Sequence, residues 1–426
     1  MSRAKSGASK VATPQAESGG KDCSSMQNWK KTFITIWAGQ LISILTSSVV
    51  AYAVVFWLSV ETGSAEILAV AAMAAMLPQA LLGLFTGVYI DRWNRKLIMI
   101  ISDSFIACAT LGLVVLFYFG KAEIWHIYTL LAARSVGQAF HLPAMQASIP
   151  LIAPEDQLMR IAGVNQMIQS VSGIAGPAIG ALLITLFDMK WVLMLDVFGA
   201  LFAVVTLMLV FIPDPDKTGE SQSPHVFREI RDGLHEIYRD RGLYWLFVFS
   251  VIATFFIMPV AVLFPLMTLN HFGGSVIQMS IVEILWGLGM LAGGALVGVK
   301  NFKGNKALMI NYMYFIFGMT FLLSGLLPSS AFVWFVILTG IGGVSAAIYN
   351  ASFMSLIQIK INPSMLGRVF STYTSFTLFP AMVGLLGIGF VADKIGLINA
   401  FIICGAINLA LGFISFMIPA IKRTGE

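Results

Sequence analysis

The chain has 426 residues, 58% of them hydrophobic and only 11% charged, and its mean hydropathy is +0.85. Too little polar surface remains to face water, which excludes a soluble globular domain. The net charge of +5 is topological rather than a footprint for nucleic acid: 22 of the 26 Lys and Arg residues fall in the termini and in alternate loops between apolar runs. Only Lys121, Lys190 and Lys394 occupy the intervening loops, and Arg134 lies inside a run. That bias predicts a multi-pass membrane protein with both termini in the cytoplasm.

Crossing hydrocarbon takes about 20 apolar residues. Twelve runs qualify, at 33–58, 67–90, 97–118, 124–146, 161–187, 191–212, 243–268, 277–299, 307–327, 331–355, 367–391 and 397–420. They are long and continuous with Gly and Pro inside them, as membrane helices are, and lack the alternation of barrel strands. Residues 1–26 are polar and rich in Ser, Gly and Ala. They read as a disordered cytoplasmic tail, or an extension ahead of a start at Met26, and contain no signal peptide.

The first span sets Gln40, Ser43 and Ser47 on one stripe, with Tyr52, Phe56 and Trp57 toward its outer end. The second closes with Gly83 and Gly87, which permit close helix approach, and leads into Asp91, Arg92, Arg95 and Lys96. Asp91 can accept charge-assisted hydrogen bonds at that helix end, and Asn94 tolerates a left-handed turn. Asp103 lies about two turns into the third span. Arg134 sits at the middle of the fourth, with Gln138 and His141 on its face. An arginine at that depth is expensive and is retained for pairing or function. In the fifth span Gly173, Gly176 and Gly180 share a face with Asn165, Gln169 and Ser172, and Pro177 removes one backbone hydrogen bond. Asp196 lies in the sixth.

The polar stretch 213–242 divides the chain into 27–212 and 243–426, each with six spans. Within it Val226, Ile230, Leu234 and Ile237 recur at helical spacing, predicting an amphipathic helix on the inner leaflet. Phe255, Phe256 and Met258 surround Pro259 in the seventh span, and soft or aromatic side chains suit varied amphipathic ligands. Glu283 of the eighth shares a face with Gly287, Gly294 and Gly298. Intramembrane carboxyls such as Glu283, Asp196 and Asp103 are candidates for carrying protons, in that order. A substrate cavity is expected from Gln40, Ser43, Ser47, Gln138, Asn165, Gln169, Phe255, Phe256 and Met258.

The chain also repeats itself. Gly63-Ser64, then Gly83-x-x-x-Gly87-Val88, recur 211 positions later as Gly274-Ser275 and Gly294-x-x-x-Gly298-Val299. Gly163 and Pro177 parallel Gly367 and Pro380, and Asp188 parallels Asp393. Duplicated membrane halves are the architecture of carriers that rock around a site between them. No Walker loop, metal-spaced His pair or nucleophile triad appears, and Cys23, Cys108 and Cys404 form no framework. No cofactor, metal or enzymatic activity is implied.

Gly87-Val-Tyr-Ile-Asp91-Arg92-Trp-Asn94-Arg95-Lys96 resembles the signature after the second span of the major facilitator superfamily, with Asn94 where Gly is usual. The resemblance implies twelve helices in two six-helix halves and a conformational latch at Gly87, Asp91, Arg92, Arg95 and Lys96. In the second half Phe302 replaces the acid. Leu130-x-x-x-Arg134-x-x-Gly137-Gln138 resembles the family's fourth-span motif, whose Arg is tied to proton coupling. Gly173, Gly176, Pro177 and Gly180 resemble its antiporter motif. Strings such as Thr35-Ile-Trp37-Ala-Gly39-Gln40 and Ala139-Phe-His141-x-Pro143-Ala144 are similar to bacterial macrolide-efflux permeases. This likeness implies proton-driven export of macrolides across the bacterial cytoplasmic membrane; the residues expected in the coupling are Glu283, Asp196, Arg134 and Asp103, and a monomer is expected to function alone. The same scaffold also suits export of a siderophore or lysophospholipid.

Overall fold

The computed structural model describes residues 22–154, 157–212, 226–299, 305–361 and 365–424. The expected tail up to residue 21, the linker segment 213–225 and the second-half positions Lys300, Phe302 and Lys303 lie outside the described residues, as do the side chains of Asp91, Arg92 and Arg228 and the surroundings of Gly87 and Gly298. The first half comprises α1 (Asp22–Thr62), α2 (Ala65–Arg92), α3 (Arg95–Tyr118), α4 (Ile124–Ile152), α5 (Leu158–Leu186) and α6 (Met189–Met208). A short α7 (Val226–Arg239) precedes α8 (Arg241–Ala261), α9 (Phe264–Leu266), α10 (Val276–Val299), α11 (Lys306–Leu326), α12 (Phe332–Lys360), α13 (Leu366–Ile395), α14 (Leu397–Met417) and α15 (Pro419–Thr424). Among the described residues, eleven helices are long and apolar enough to cross a membrane. The other long helix is α4, whose hydropathy is lowered by Arg134, Gln138 and His141.

The two halves repeat one pattern of neighbours. Helix α1 packs on α5 and α6, α2 on α4, and α3 on α4 and α6; correspondingly α8 packs on α13 and α14, α10 on α12, and α11 on α12 and α14. Between the halves α2 meets α13 and α5 meets α10. This is the twelve-helix, two-half architecture expected from the repeat.

Local structure departs from the sequence reading in three places. Helix α1 is already formed at Asp22, inside the segment expected to be disordered. Asn94 is not left-handed: at φ −61° and ψ 113° it is the N-cap of α3 and accepts a hydrogen bond from Leu97 N at 2.8 Å. Its counterpart 211 positions on, Asn305, adopts the same angles and caps α11 through Leu308 N at 3.1 Å. A side-chain acceptor for orphan helix N–H groups, not backbone freedom, is what both positions supply. The seventh span is not continuous, because Pro259 interrupts its hydrogen bonding; α8 stops at Ala261, and α9 with a π-helical turn at Met267–His271 completes the crossing.

Of the apolar face expected of α7, Leu234 and Ile237 are described, and the side chains of Val226 and Ile230 lie outside the described residues. Leu234 and Ile237 pack with Leu243, Leu246 and Val369. Gly233 allows the approach, since a Cβ there would lie 2.8 Å from Arg368 O. Asp232 pairs with Arg368 at 3.1 Å beside it.

Candidate functional site

Helical periodicity gathers most of the flagged polar residues at one place. Gln40, Ser43 and Ser47 of α1, Asp103 of α3, Arg134, Gln138 and His141 of α4 and Gln169 of α5 line a cavity of about 290 Å³ inside the first half. Gly137 makes the α3–α4 contact possible: a Cβ there would lie 2.6 Å from Ile106 Cγ1 and 3.4 Å from Ser102 O. That approach sets Asp103 Oδ1 3.3 Å from His141 Nε2.

Arg134 is paired with Asp196 of α6, and both are buried. Ser47 Oγ donates to Asp196 Oδ1 at 2.6 Å, Thr110 Oγ1 to Oδ2 at 3.0 Å, and Arg134 Nη2 to Ser47 O at 3.2 Å. Four helices therefore converge on one compensated ion pair. Asp196 is not the lone carboxyl that its sequence position suggests.

Glu283 differs. Partly buried in α10, it has neither ion pair nor hydrogen bond among the described residues, and Tyr52 of α1 lies within electrostatic range. One turn on, Gly287 meets α5, where a Cβ would touch Ile174 Cγ1 at 3.2 Å. Glu283 thus sits at the junction of the halves.

The remaining expected cavity residues separate. Met258 lines a cavity of about 420 Å³ in the second half, together with Thr254, Trp286, Tyr314, Tyr349, Asn350 and Tyr373. Tyr349 donates to Ser250 Oγ at 2.6 Å, which lies 3.1 Å from Tyr373 OH, while Tyr314 OH stands 3.4 Å from Tyr349 OH. These tyrosines were missed in the sequence; the available signal was that a mid-span Tyr hydroxyl needs a partner. Phe255 and Phe256 instead line an apolar cavity of about 260 Å³ with Pro259, Gly384 and Gly387, because α13 closes on that side of α8 and Gly384 abuts Phe255 O. Asn165 accepts a hydrogen bond from Trp37 Nε1 and lies apart from the polar cavity, which Gln169 reaches. A further cavity of about 530 Å³ spans the halves between Met76, Gln79 and Gly83 of α2, Leu142 and Pro143 of α4, and Thr374 and Phe379 of α13.

The fifth-span glycines divide by role. Gly176 abuts Ser48 and Tyr52, and a Cβ on Gly180 would lie 2.8 Å from Val49 O, so both serve the α1–α5 contact. Gly173 has open space where its Cβ would be. Arg95 Nη1 donates to Ala147 O at 2.6 Å and Lys96 Nζ to Val210 O at 2.6 Å, near the C-terminal ends of α4 and α6. Cations are favoured there by the helix dipole, and these bonds stay within the first half. Direct bonds between the halves lie at the opposite end, where Asn270 Nδ2 donates to Gly63 O at 3.3 Å. Asp393 of α13 accepts from Ser64 Oγ at 3.0 Å, Ala65 N at 3.0 Å and Glu66 N at 3.3 Å, capping α2. Toward the basic-loop end, Gly83 and Gly294 meet nothing within 4 Å.

Paired six-helix bodies with buried charge and a cavity between them define a multi-pass membrane transporter. The chain belongs to the major facilitator superfamily, whose sequence profile matches residues 36–377. Macrolide efflux protein A of Streptococcus pyogenes is 37% identical over 396 residues, covering 93% of this chain and 98% of its own. The multidrug efflux pump Tap of Mycobacterium tuberculosis is 24% identical, over 86% of this chain and 88% of its own. A solved POT family transporter, in complex with 5-aminolevulinic acid, shares the fold at a TM-score of 0.70 and 10% identity, covering 91% of this chain and 96% of that one.

Proposed function

We propose that the chain exports macrolide-type drugs across the bacterial cytoplasmic membrane in exchange for protons, by alternating access between 27–212 and 243–426. The similarity to macrolide efflux protein A over nearly the whole of both chains supports the substrate class. The observation that carries the coupling is Glu283, the intramembrane acid at the junction of the halves that has no ion-pair partner among the described residues. A proton taken up there neutralises a charge at the surface along which the halves slide, so its affinity differs between states, as coupling demands. Asp196 and Arg134 form the fixed pivot of the first half. The basic loops and both termini face the cytosol, 213–242 joins the halves, and a monomer suffices. The packed end at Asp393 then faces outward, and the cavity at Gly83 receives drug from the cytosol or inner leaflet.

The test is accumulation of radiolabelled erythromycin in cells with and without the chain. Wild type lowers accumulation, a protonophore abolishes the effect, and Glu283→Gln abolishes uphill efflux while leaving facilitated exchange. Efflux indifferent to the protonophore refutes proton drive, and normal uphill efflux by the variant removes Glu283 from it.

A further inference from the structure

The cavity of the first half holds buried polar atoms that the protein leaves unbonded. Gln40 is 0% exposed, and neither atom of its amide has a hydrogen-bond partner. Asp103 is 4% exposed with Oδ2 unbonded, and His141, 7% exposed, makes no hydrogen bond through Nε2 despite its 3.3 Å approach to Asp103 Oδ1. Each such group carries a desolvation cost that a ligand can relieve. The acids are unequal as well. Asp196 is matched by Arg134, whereas Asp103 has only His141 beside it and no Arg or Lys partner among the described residues. Two free acceptors of this kind, one of them a carboxylate oxygen, complement a cation bearing N–H or O–H donors.

Size and continuity narrow the ligand. About 290 Å³ lies at the bottom of the range for sites enclosing a drug-sized molecule, and suits one substituent of it. Leu142 lines both this cavity and the cavity of about 530 Å³ between the halves, so the two adjoin. We infer that the cluster of Asp103, Gln40 and His141 binds a protonated amine substituent, such as the dimethylamino sugar of a macrolide, while the apolar ring occupies the adjoining cavity between the halves. Asp103 Oδ2 accepts the ammonium N–H, and the Gln40 amide engages the neighbouring sugar hydroxyls. The choice of macrolide as bearer of the amine rests on the function proposed above.

The purified full-length chain, assayed by equilibrium dialysis, tests this with erythromycin, which carries the amino sugar, and erythronolide B, an uncharged macrolactone that bears no sugar. Wild type is expected to prefer erythromycin. In Asp103→Asn, erythromycin binding should weaken about ten- to hundredfold, the worth of a hydrogen bond to a charged group, with erythronolide B little changed. Retained erythronolide B binding also certifies that the variant is folded. Gln40→Leu, which keeps every charge, is the companion and should weaken erythromycin alone. A folded variant of either kind that keeps the wild-type preference overturns the assignment and leaves the cluster as a water-filled polar pocket. Wild-type protein that binds neither compound overturns the macrolide reading and this site with it.

Discussion

Arg134 and Asp196 show what a single residue reveals before the fold is known. Both stand out in the sequence, because charge inside a membrane run is costly. Their pairing was not legible: 62 positions and one intervening helix separate them, and only the joint packing of α1, α3, α4 and α6 brings them together. Glu283 was legible as an acid on a glycine-lined face, and its lack of an ion pair or hydrogen bond among the described residues is a tertiary fact. The tyrosine hydroxyls at Tyr314, Tyr349 and Tyr373 were illegible for a different reason, since aromatic residues in apolar runs look like ordinary packing. The ion pair carries a stability prediction. Arg134→Met strands a buried carboxylate and should destabilise the protein by about 3–5 kcal/mol, whereas Arg134→Met with Asp196→Leu should recover most of the loss. Thermal unfolding of the three proteins in the same detergent decides it; equal damage from single and double variants would mean that the pair is not an isolated electrostatic unit.

At the scale of the helix, the 3.6-residue period placed the stripe Gln40, Ser43, Ser47 and the stripe Arg134, Gln138, His141 correctly, and both line one cavity. It did not separate Phe255 and Phe256 from Met258, because that division depends on how α13 closes against α8 below Pro259. Nor did it reveal that Asn94 is a cap, since the same residue type suits a cap and a left-handed turn. The fifth-span motif can be split by single methyl groups. Gly180→Ala presses a Cβ onto the backbone of α1 and should cost about 1–3 kcal/mol. Gly173→Ala enters open space and should leave the melting temperature nearly unchanged. If both variants melt alike, the α1–α5 contact is looser than described.

For the whole molecule, duplication was the most legible property: a repeat offset of 211 residues reappears as matching neighbour patterns and as paired caps at Asn94 and Asn305. Exceptions to the symmetry were not, because they depend on which side chains find each other across the halves. Asp393 fastens α13 to the start of α2. Its sequence counterpart Asp188 pairs with Lys190 at 3.0 Å instead, and Gln278 Oε1 accepts from Ser275 N at 2.8 Å at the start of α10. Asp393→Ala should remove about 1 kcal/mol of cap energy and shift the balance of closed and open forms about fivefold. Spin-label distances between the Asp393 end of α13 and the start of α2 should lengthen; an unchanged distribution would show that the Asp393 cap does not hold that end. The lopsided fastening also fixes an order of events. A joint pinned at one edge peels from the free edge, so separation begins along α5 and α10 and reaches the pinned edge last. Label pairs across those two seams should therefore broaden one after the other, not together.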